Sequence, residues 1–79
     1  MYFVYHLKSK SKLDTYYVGI ATDIERRLAE HNNGHSTHTK KFRPWTLISY
    51  TAFTDKLRAE KFECYLKTAS GRAFAKKRS

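Results

Sequence analysis

The run Tyr16-Tyr17-Val18-Gly19-Ile20-Ala21-Thr22-Asp23-Ile24-Glu25-Arg26-Arg27-Leu28-Ala29-Glu30-His31 constrains this chain more than any other. Aromatic and β-branched residues fill its first part, which predicts a short strand. Gly19 then suggests a tight turn. Thr22 with Glu25 three residues later spells a capping box at the start of a helix from Thr22 to about His31. Asp23 and Glu25 suit the positive end of the helix dipole. At ~100° per residue, Ile24 and Leu28 define the apolar stripe, with Arg27 and His31 beside it. Arg26, Glu25 and Glu30 point elsewhere, so one arginine is solvated and the other faces the protein. Charge turned inward must be paired or used. Two readings stand side by side: Arg27 pairs with a structural carboxylate and His31 is a satisfied edge residue, or both belong to a functional site.

Charge narrows the function classes. Sixteen Lys and Arg oppose seven Asp and Glu, a formal +9, which points to a polyanion such as DNA, RNA or an anionic membrane surface. The membrane alternative is the weaker one, because the sequence shows no long apolar run, signal-peptide pattern or lipidation motif. The 79 residues fit one domain, 1–79. A chain of this size buries only about 60% of its extended surface, so the five Phe, six Tyr and one Trp must supply much of the core. The single cysteine, Cys64, excludes an internal disulfide framework and a four-cysteine zinc site. It suits a reducing, cytoplasmic location and reads as a half-buried thiol.

Met1 to Leu7 alternates, with Phe3, Tyr5 and Leu7 on one face and Tyr2, Val4 and His6 on the other, a strand covered on both sides. A polar loop, Lys8 to Asp14, leads to a second strand from about Thr15 to Ile20, and the two read as an antiparallel hairpin that can bring Tyr5 near Tyr17. Asn32-Asn33-Gly34 reads as a helix C-cap. The basic segment His35 to Arg43 reads as a surface loop with room for a helical turn. After Pro44 a third strand, Trp45 to Phe53, carries Trp45, Leu47, Thr51 and Phe53 on one face. Thr54 or Asp55 caps a second helix running to about Thr68, its stripe being Ala59, Phe62, Leu66 and Ala69. Glu63 lies beside that stripe and Glu60 further round, so Glu63 is the carboxylate this helix can offer inward. The tail from Ser70 to Ser79 holds Arg72, Lys76, Lys77 and Arg78 and no acid, and reads as a last helical turn around Phe74 or an arm along a phosphate backbone. The whole reads as an α+β domain, β-β-α-β-α: a three-stranded, mainly antiparallel sheet flanked by helices.

Phe3-Val4-Tyr5, Tyr17-Val18-Gly19, Arg27 and His31 on the following helix, and Glu63 on a later one, in that order, resemble the GIY-YIG nuclease superfamily. That group includes homing endonucleases, some restriction enzymes, junction nucleases and the nuclease component of the bacterial excinuclease. The chain is most similar to its small, single-domain bacterial branch, through Arg43-Pro44-Trp45 and Glu63-Cys64-Tyr65-Leu66-Lys67 as well. The resemblance implies that Tyr5 and Tyr17 are the two motif tyrosines, Arg27 the catalytic arginine, His31 the helix histidine and Glu63 the metal-binding glutamate. Two departures stand out: the first half-motif lacks its leading glycine, and no asparagine follows Glu63, so that phosphate contact is either missing or replaced, with Lys67 and Ser70 the candidates.

The chemistry implied is phosphodiester hydrolysis. Glu63 holds one Mg²⁺ or Mn²⁺, Arg27 steadies the phosphoryl oxygens, and a tyrosine activates or orients the water. A phenol with a pKa near 10 needs an adjacent cation, from Arg27, His31 or the metal, to act near neutral pH. Lys40, Lys41, Arg43, Lys67, Arg72, Lys76 and Lys77 are the expected phosphate-backbone contacts. The expected function is a DNA endonuclease of low sequence specificity in repair or recombination, acting as a monomer or weak homodimer, with a catalytically weak nucleic-acid-binding module as the alternative. Residue by residue the plain alternatives are strand tyrosines in the core and a Glu63–Arg27 ion pair. His31, His35 and His38 with Cys64 match no common zinc spacing.

Overall fold

The computed structural model describes residues 1–68; Ala69, Ser70, Phe74 and the tail cations Arg72, Lys76, Lys77 and Arg78 lie outside the described residues. Three strands form one antiparallel sheet in the order β2-β1-β3, with β1 at Tyr2–Ser9, β2 at Tyr16–Ala21 and β3 at Trp45–Phe53. Helix α1 spans Ile24–Asn32 and α2 spans Lys56–Leu66. A single 3₁₀ turn, Lys40–Phe42, sits in the basic loop before β3. The expected element order and hairpin are present, each within two or three residues of its expected ends.

The alternation of β1 places it centrally. Val4 packs with Ala59 and Leu66 under α2, with Tyr2, Val18, Ile20, Phe53 and Phe62 around them. Tyr5 and Leu7 face the opposite way, into a second cluster with Trp45, Tyr17, Ile24, Leu28, Phe42 and Leu47 under α1. The sheet therefore separates two cores, one beneath each helix.

Four local expectations are corrected. Helix α1 begins one turn position later than the capping box implied: Asp23 is the N-cap, its carboxylate accepting from Arg26 N at 3.1 Å, while Thr22 is exposed. A carboxylate caps as well as a hydroxyl and adds a favourable dipole interaction. Gly19 is not in a turn but inside β2, opposite Tyr5. The face of β3 is split by a bulge: His6 pairs with Ser49 and Leu7 with Leu47, leaving Ile48 unmatched. One extra residue shifts the period-two pattern, so Trp45 and Leu47 join the α1 core and Phe53 the α2 core. Cys64 is exposed, not half-buried. The expected ends do hold elsewhere. Asn33 is the C-cap of α1, followed by Gly34 at φ +79°, the left-handed position that favours glycine, and Asp55, one of the two residues expected there, caps α2 by accepting from Leu57 N.

Candidate active site

The site grows from the crossing of β1, β2 and α1. Tyr5 lies opposite Gly19, and its ring leans across that glycine: a Cβ there would overlap Tyr5 Oη and Cζ and touch Tyr17. The missing side chain lets the two tyrosines converge, with ring centroids 6.2 Å apart. Helix α1 delivers His31 from the other side, fully buried. Its ring lies 4.9 Å from that of Tyr17 and 5.9 Å from that of Tyr5.

His31 is held at both nitrogens. Nε2 is 2.9 Å from Tyr5 Oη and Nδ1 is 2.7 Å from Thr39 Oγ1. In a neutral imidazole one nitrogen donates and the other accepts, so Tyr5, His31 and Thr39 form one hydrogen-bonded chain. Thr39 is buried as well, and its carbonyl accepts from Trp45 Nε1 at 2.9 Å. Burial, followed by the nearby Arg27 charge, pushes the His31 pKa below its usual value, keeping the ring neutral near pH 7.

Arg27 and Arg26 separate as expected, the second being much more exposed. The first partner of Arg27 is a residue expected to point away: Glu30 Oε1, 2.8 Å from Arg27 Nη1. Spacing of three residues puts both on one side of the helix. This pair raises the Arg27 pKa and lowers that of Glu30. Arg27 also interacts with the Tyr5 hydroxyl. A neighbouring cation was expected to lower a tyrosine here, and Arg27 does act in that direction. Burial pushes Tyr5 above 10, and Arg27 only partly offsets it.

Glu63 comes from α2, which packs on the face of the sheet opposite α1, and its charge bears on Tyr5. It is not paired with Arg27. Among the described residues it pairs with Lys67, from the end of the same helix, at 3.4 Å. Tyr5, Tyr17 and His31 thus pack against one another, Arg27 joins them through Tyr5, and Glu63 is within electrostatic reach. Among the described residues no three His, Cys, Asp or Glu side chains converge on a metal position, which excludes the His31/His35/His38/Cys64 grouping. A single carboxylate fits Mg²⁺ or Mn²⁺, hard cations that keep several waters and take phosphate oxygens. It does not fit a closed zinc site.

Of the expected phosphate contacts, Lys40, Lys41 and Arg43 are exposed around the 3₁₀ turn, and Lys67 is exposed on α2 beside Glu63. Two residues of the site's frame gave little signal in the sequence. Thr39 sits in a polar loop with no periodicity to single it out. Asn32 read as a cap residue, yet its amide pairs with the backbone of Trp45 as a strand would: Trp45 N donates to Oδ1 at 2.6 Å and Nδ2 donates to Trp45 O at 3.1 Å. Its position four residues after Leu28, on the packing side of α1, was the available clue.

Fold and site together define a small α+β domain with a tyrosine–histidine–arginine cluster and one carboxylate opposite. The model of the GIY-YIG catalytic domain matches residues 1–78, and the chain belongs to that family. It is 39% identical over 70 residues to a UPF0213 protein of Staphylococcus saprophyticus, covering 87% of this chain and 83% of that one. It is 43% identical over 53 residues to the structure-specific endonuclease subunit SLX1 of Debaryomyces hansenii, covering 60% of this chain but only 15% of the longer protein. The solution structure of a UPF0213 protein from Bacillus halodurans superposes with a TM-score of 0.56 at 30% identity, over 95% of this chain and 79% of that one. Among the described residues no helix is long and apolar enough to cross a membrane.

Proposed function

We propose that this protein is a metal-dependent endonuclease that hydrolyses phosphodiester bonds in DNA, selecting nucleic-acid structure over base sequence, in repair or recombination. The observation that carries the reading is the buried Tyr5–His31–Thr39 chain with Arg27 at its mouth and Glu63 opposite. The printed name of the SLX1 relative, a structure-specific endonuclease subunit, supports the same substrate class. A reducing cytoplasm suits the exposed Cys64.

In this reading Arg27 turns from Glu30 to the scissile phosphate and steadies its developing charge. The Tyr17 hydroxyl, which makes no hydrogen bond to the described residues, orients the attacking water. Tyr5 need not ionise beforehand. As the water loses its proton to Tyr5 Oη, Tyr5 passes its own to His31 Nε2, a neutral acceptor 2.9 Å away. Thr39 accepts from Nδ1–H and keeps the Nε2 lone pair aimed at Tyr5. The divalent ion on Glu63, when bound, supplies positive charge for the leaving oxygen.

A second reading has its own support. Arg27 and Glu63 already have partners on their own helices, Glu30 and Lys67, as a nucleic-acid-binding module without cleavage would. One experiment separates the two. Supercoiled plasmid, branched duplex and single-stranded DNA are incubated at low salt with Mg²⁺, Mn²⁺ or EDTA, beside Tyr17→Phe, Arg27→Ala and Glu63→Ala. The nuclease reading expects cleavage that EDTA abolishes and that Arg27→Ala and Glu63→Ala reduce by about 10²-fold or more. Cleavage that survives all three substitutions rejects this site. Salt-sensitive binding with no cleavage establishes the module.

A further inference from the structure

The excess charge of this chain is segregated. Helix α1 and its cap carry Arg26 and Arg27 against Asp23, Glu25 and Glu30, and α2 with its cap carries Lys56, Arg58, Lys61 and Lys67 against Asp55, Glu60 and Glu63. Each helix is therefore neutral to within one charge. Among the described residues the surplus lies elsewhere: Lys8, Lys10 and Lys12 leading out of β1, and Lys40, Lys41 and Arg43 around the 3₁₀ turn. All six are exposed, and Asp14 is the one acid among them.

These two basic segments, about thirty residues apart in the chain, are fastened into one body. Ser9 Oγ donates to Phe42 O and accepts from Ser11 N and Lys12 N. Lys10 N donates to Pro44 O at 2.8 Å. The ammonium groups of Lys12 and Lys41, one from each segment, lie 5.0 and 5.5 Å from the centroid of the Phe42 ring. Like charges are costly to hold together unless something opposes the repulsion. Here the Ser9 hydrogen bonds, the Lys10–Pro44 backbone bond and a shared aromatic ring hold them at one end of the sheet.

We propose that this ridge is the docking surface for a duplex DNA arm, gripped through its phosphates. Resting on the nuclease reading above, it gives that site's substrate a duplex arm next to the scissile bond. Phosphate gripping follows from the composition, because five of the six cations are lysines, whose ammonium groups act as point charges toward phosphate. Duplex rather than single strand follows from the aromatic residue. A single-strand groove needs open aromatic faces for base stacking, whereas Phe42 is half-buried and carries two ammonium groups. Ser9 follows Tyr5 by four strand residues, roughly 13 Å at ~3.3 Å per residue. That separation is about four steps along one DNA strand at ~3.4 Å each, so ridge and site reach the same duplex.

The test is binding in EDTA, where no cleavage is needed, by fluorescence anisotropy on a 20-base-pair DNA duplex and on one of its strands. Two triple variants of the full chain carry the same charge loss: Lys8→Gln/Lys10→Gln/Lys12→Gln on the ridge, and Lys56→Gln/Arg58→Gln/Lys61→Gln on α2. Circular dichroism melting first confirms that both fold. Expected are tighter binding of the duplex than of the single strand, a ridge variant whose log K against log salt slope is shallower by about 2–3, and an α2 variant within twofold of the parent. Equal losses in both variants would mean bulk charge alone and would overturn the proposal. So would an unchanged slope in the ridge variant, or a preference for the single strand. Ridge-dependent duplex binding, with no cleavage of plasmid, branched or single-stranded DNA in Mg²⁺ or Mn²⁺, would reject the nuclease reading and leave the docking surface standing.

Discussion

The two faces of the sheet are built on different principles. Beneath α2 the packed cluster is apolar: Val4, Ala59 and Leu66, ringed by Phe53, Phe62 and Ile20, with the buried His6 beside it on that face of β1. Beneath α1 it is threaded with polar atoms, from Tyr5 through His31 to Thr39, and from Trp45 to Asn32 and Thr39. Apolar packing on the α2 side is non-directional and tolerates volume-conserving change. The α1 side holds its groups by direction, so a small displacement leaves buried polar atoms without partners. The same β1 strand serves both faces, alternating Val4 with Tyr5. The α2 face thus carries stability, and the α1 face gives up some of that freedom to fix a reactive geometry.

Substitutions can break this division. Gly19→Ala has the largest expected effect on activity: its Cβ must push Tyr5 away from His31. A displacement near 1 Å can cost about 10²-fold in rate. Steady-state cleavage beside thermal melting checks it, and equal activity in a folded Gly19→Ala protein would show that the contact does not matter. Val4→Ala makes the opposite kind of change. It leaves a void under α2 and lowers stability by about 2–3 kcal/mol, while the rate per folded molecule stays the same. Urea unfolding with activity measured on the folded fraction separates the two numbers. Asn32→Ala sits between them. It strips both Trp45 backbone groups of their partner and costs about 2 kcal/mol, together with a loss of rate, because Trp45 supports Thr39. If Asn32→Ala behaved like Val4→Ala, with stability alone affected, the directional account of the α1 face would fail.

This contrast explains what the sequence made legible. The element order, both helices, the two-sided burial of β1 and the inward tilt of Glu63 follow from periodicity, which reports apolar burial well. The convergence of Tyr5, Tyr17, Arg27 and His31 came from their resemblance to a known order of motifs. Periodicity alone left those tyrosines indistinguishable from core residues. What escaped was directional or one residue long. The bulge at Ile48 has no glycine to mark it. Gly19 looked like a turn because glycine serves turns and close approaches equally. The Thr39 and Asn32 contacts join residues whose types are common in loops and caps. Glu30, three residues after Arg27, pairs with it by ordinary helical spacing, although it was expected to point elsewhere.

Acid should act on both faces at once, through one histidine on each. His31 lies in the polar network, and His6 lies on the α2 side, paired across β1 with Val18 and Ser49. Among the described residues its Nδ1 is buried without a hydrogen-bond partner. Burial is the first cause of a lowered pKa in both. The unfolded chain, with histidines near 6.5, therefore binds protons more readily than the folded one. Stability is fully present above the unfolded pKa and is lost as pH falls through 6.5 toward the lower folded values. The melting temperature should be lower at pH 5 than at pH 7.5. His6→Gln should remove part of this dependence with cleavage at pH 7.5 intact. The remaining part should track the acid limb of the rate, since His31 must be neutral to accept from Tyr5. A rate profile with its acid limb above pH 6.5 would detach His31 from the proton path and leave the chain beneath α1 a purely structural network.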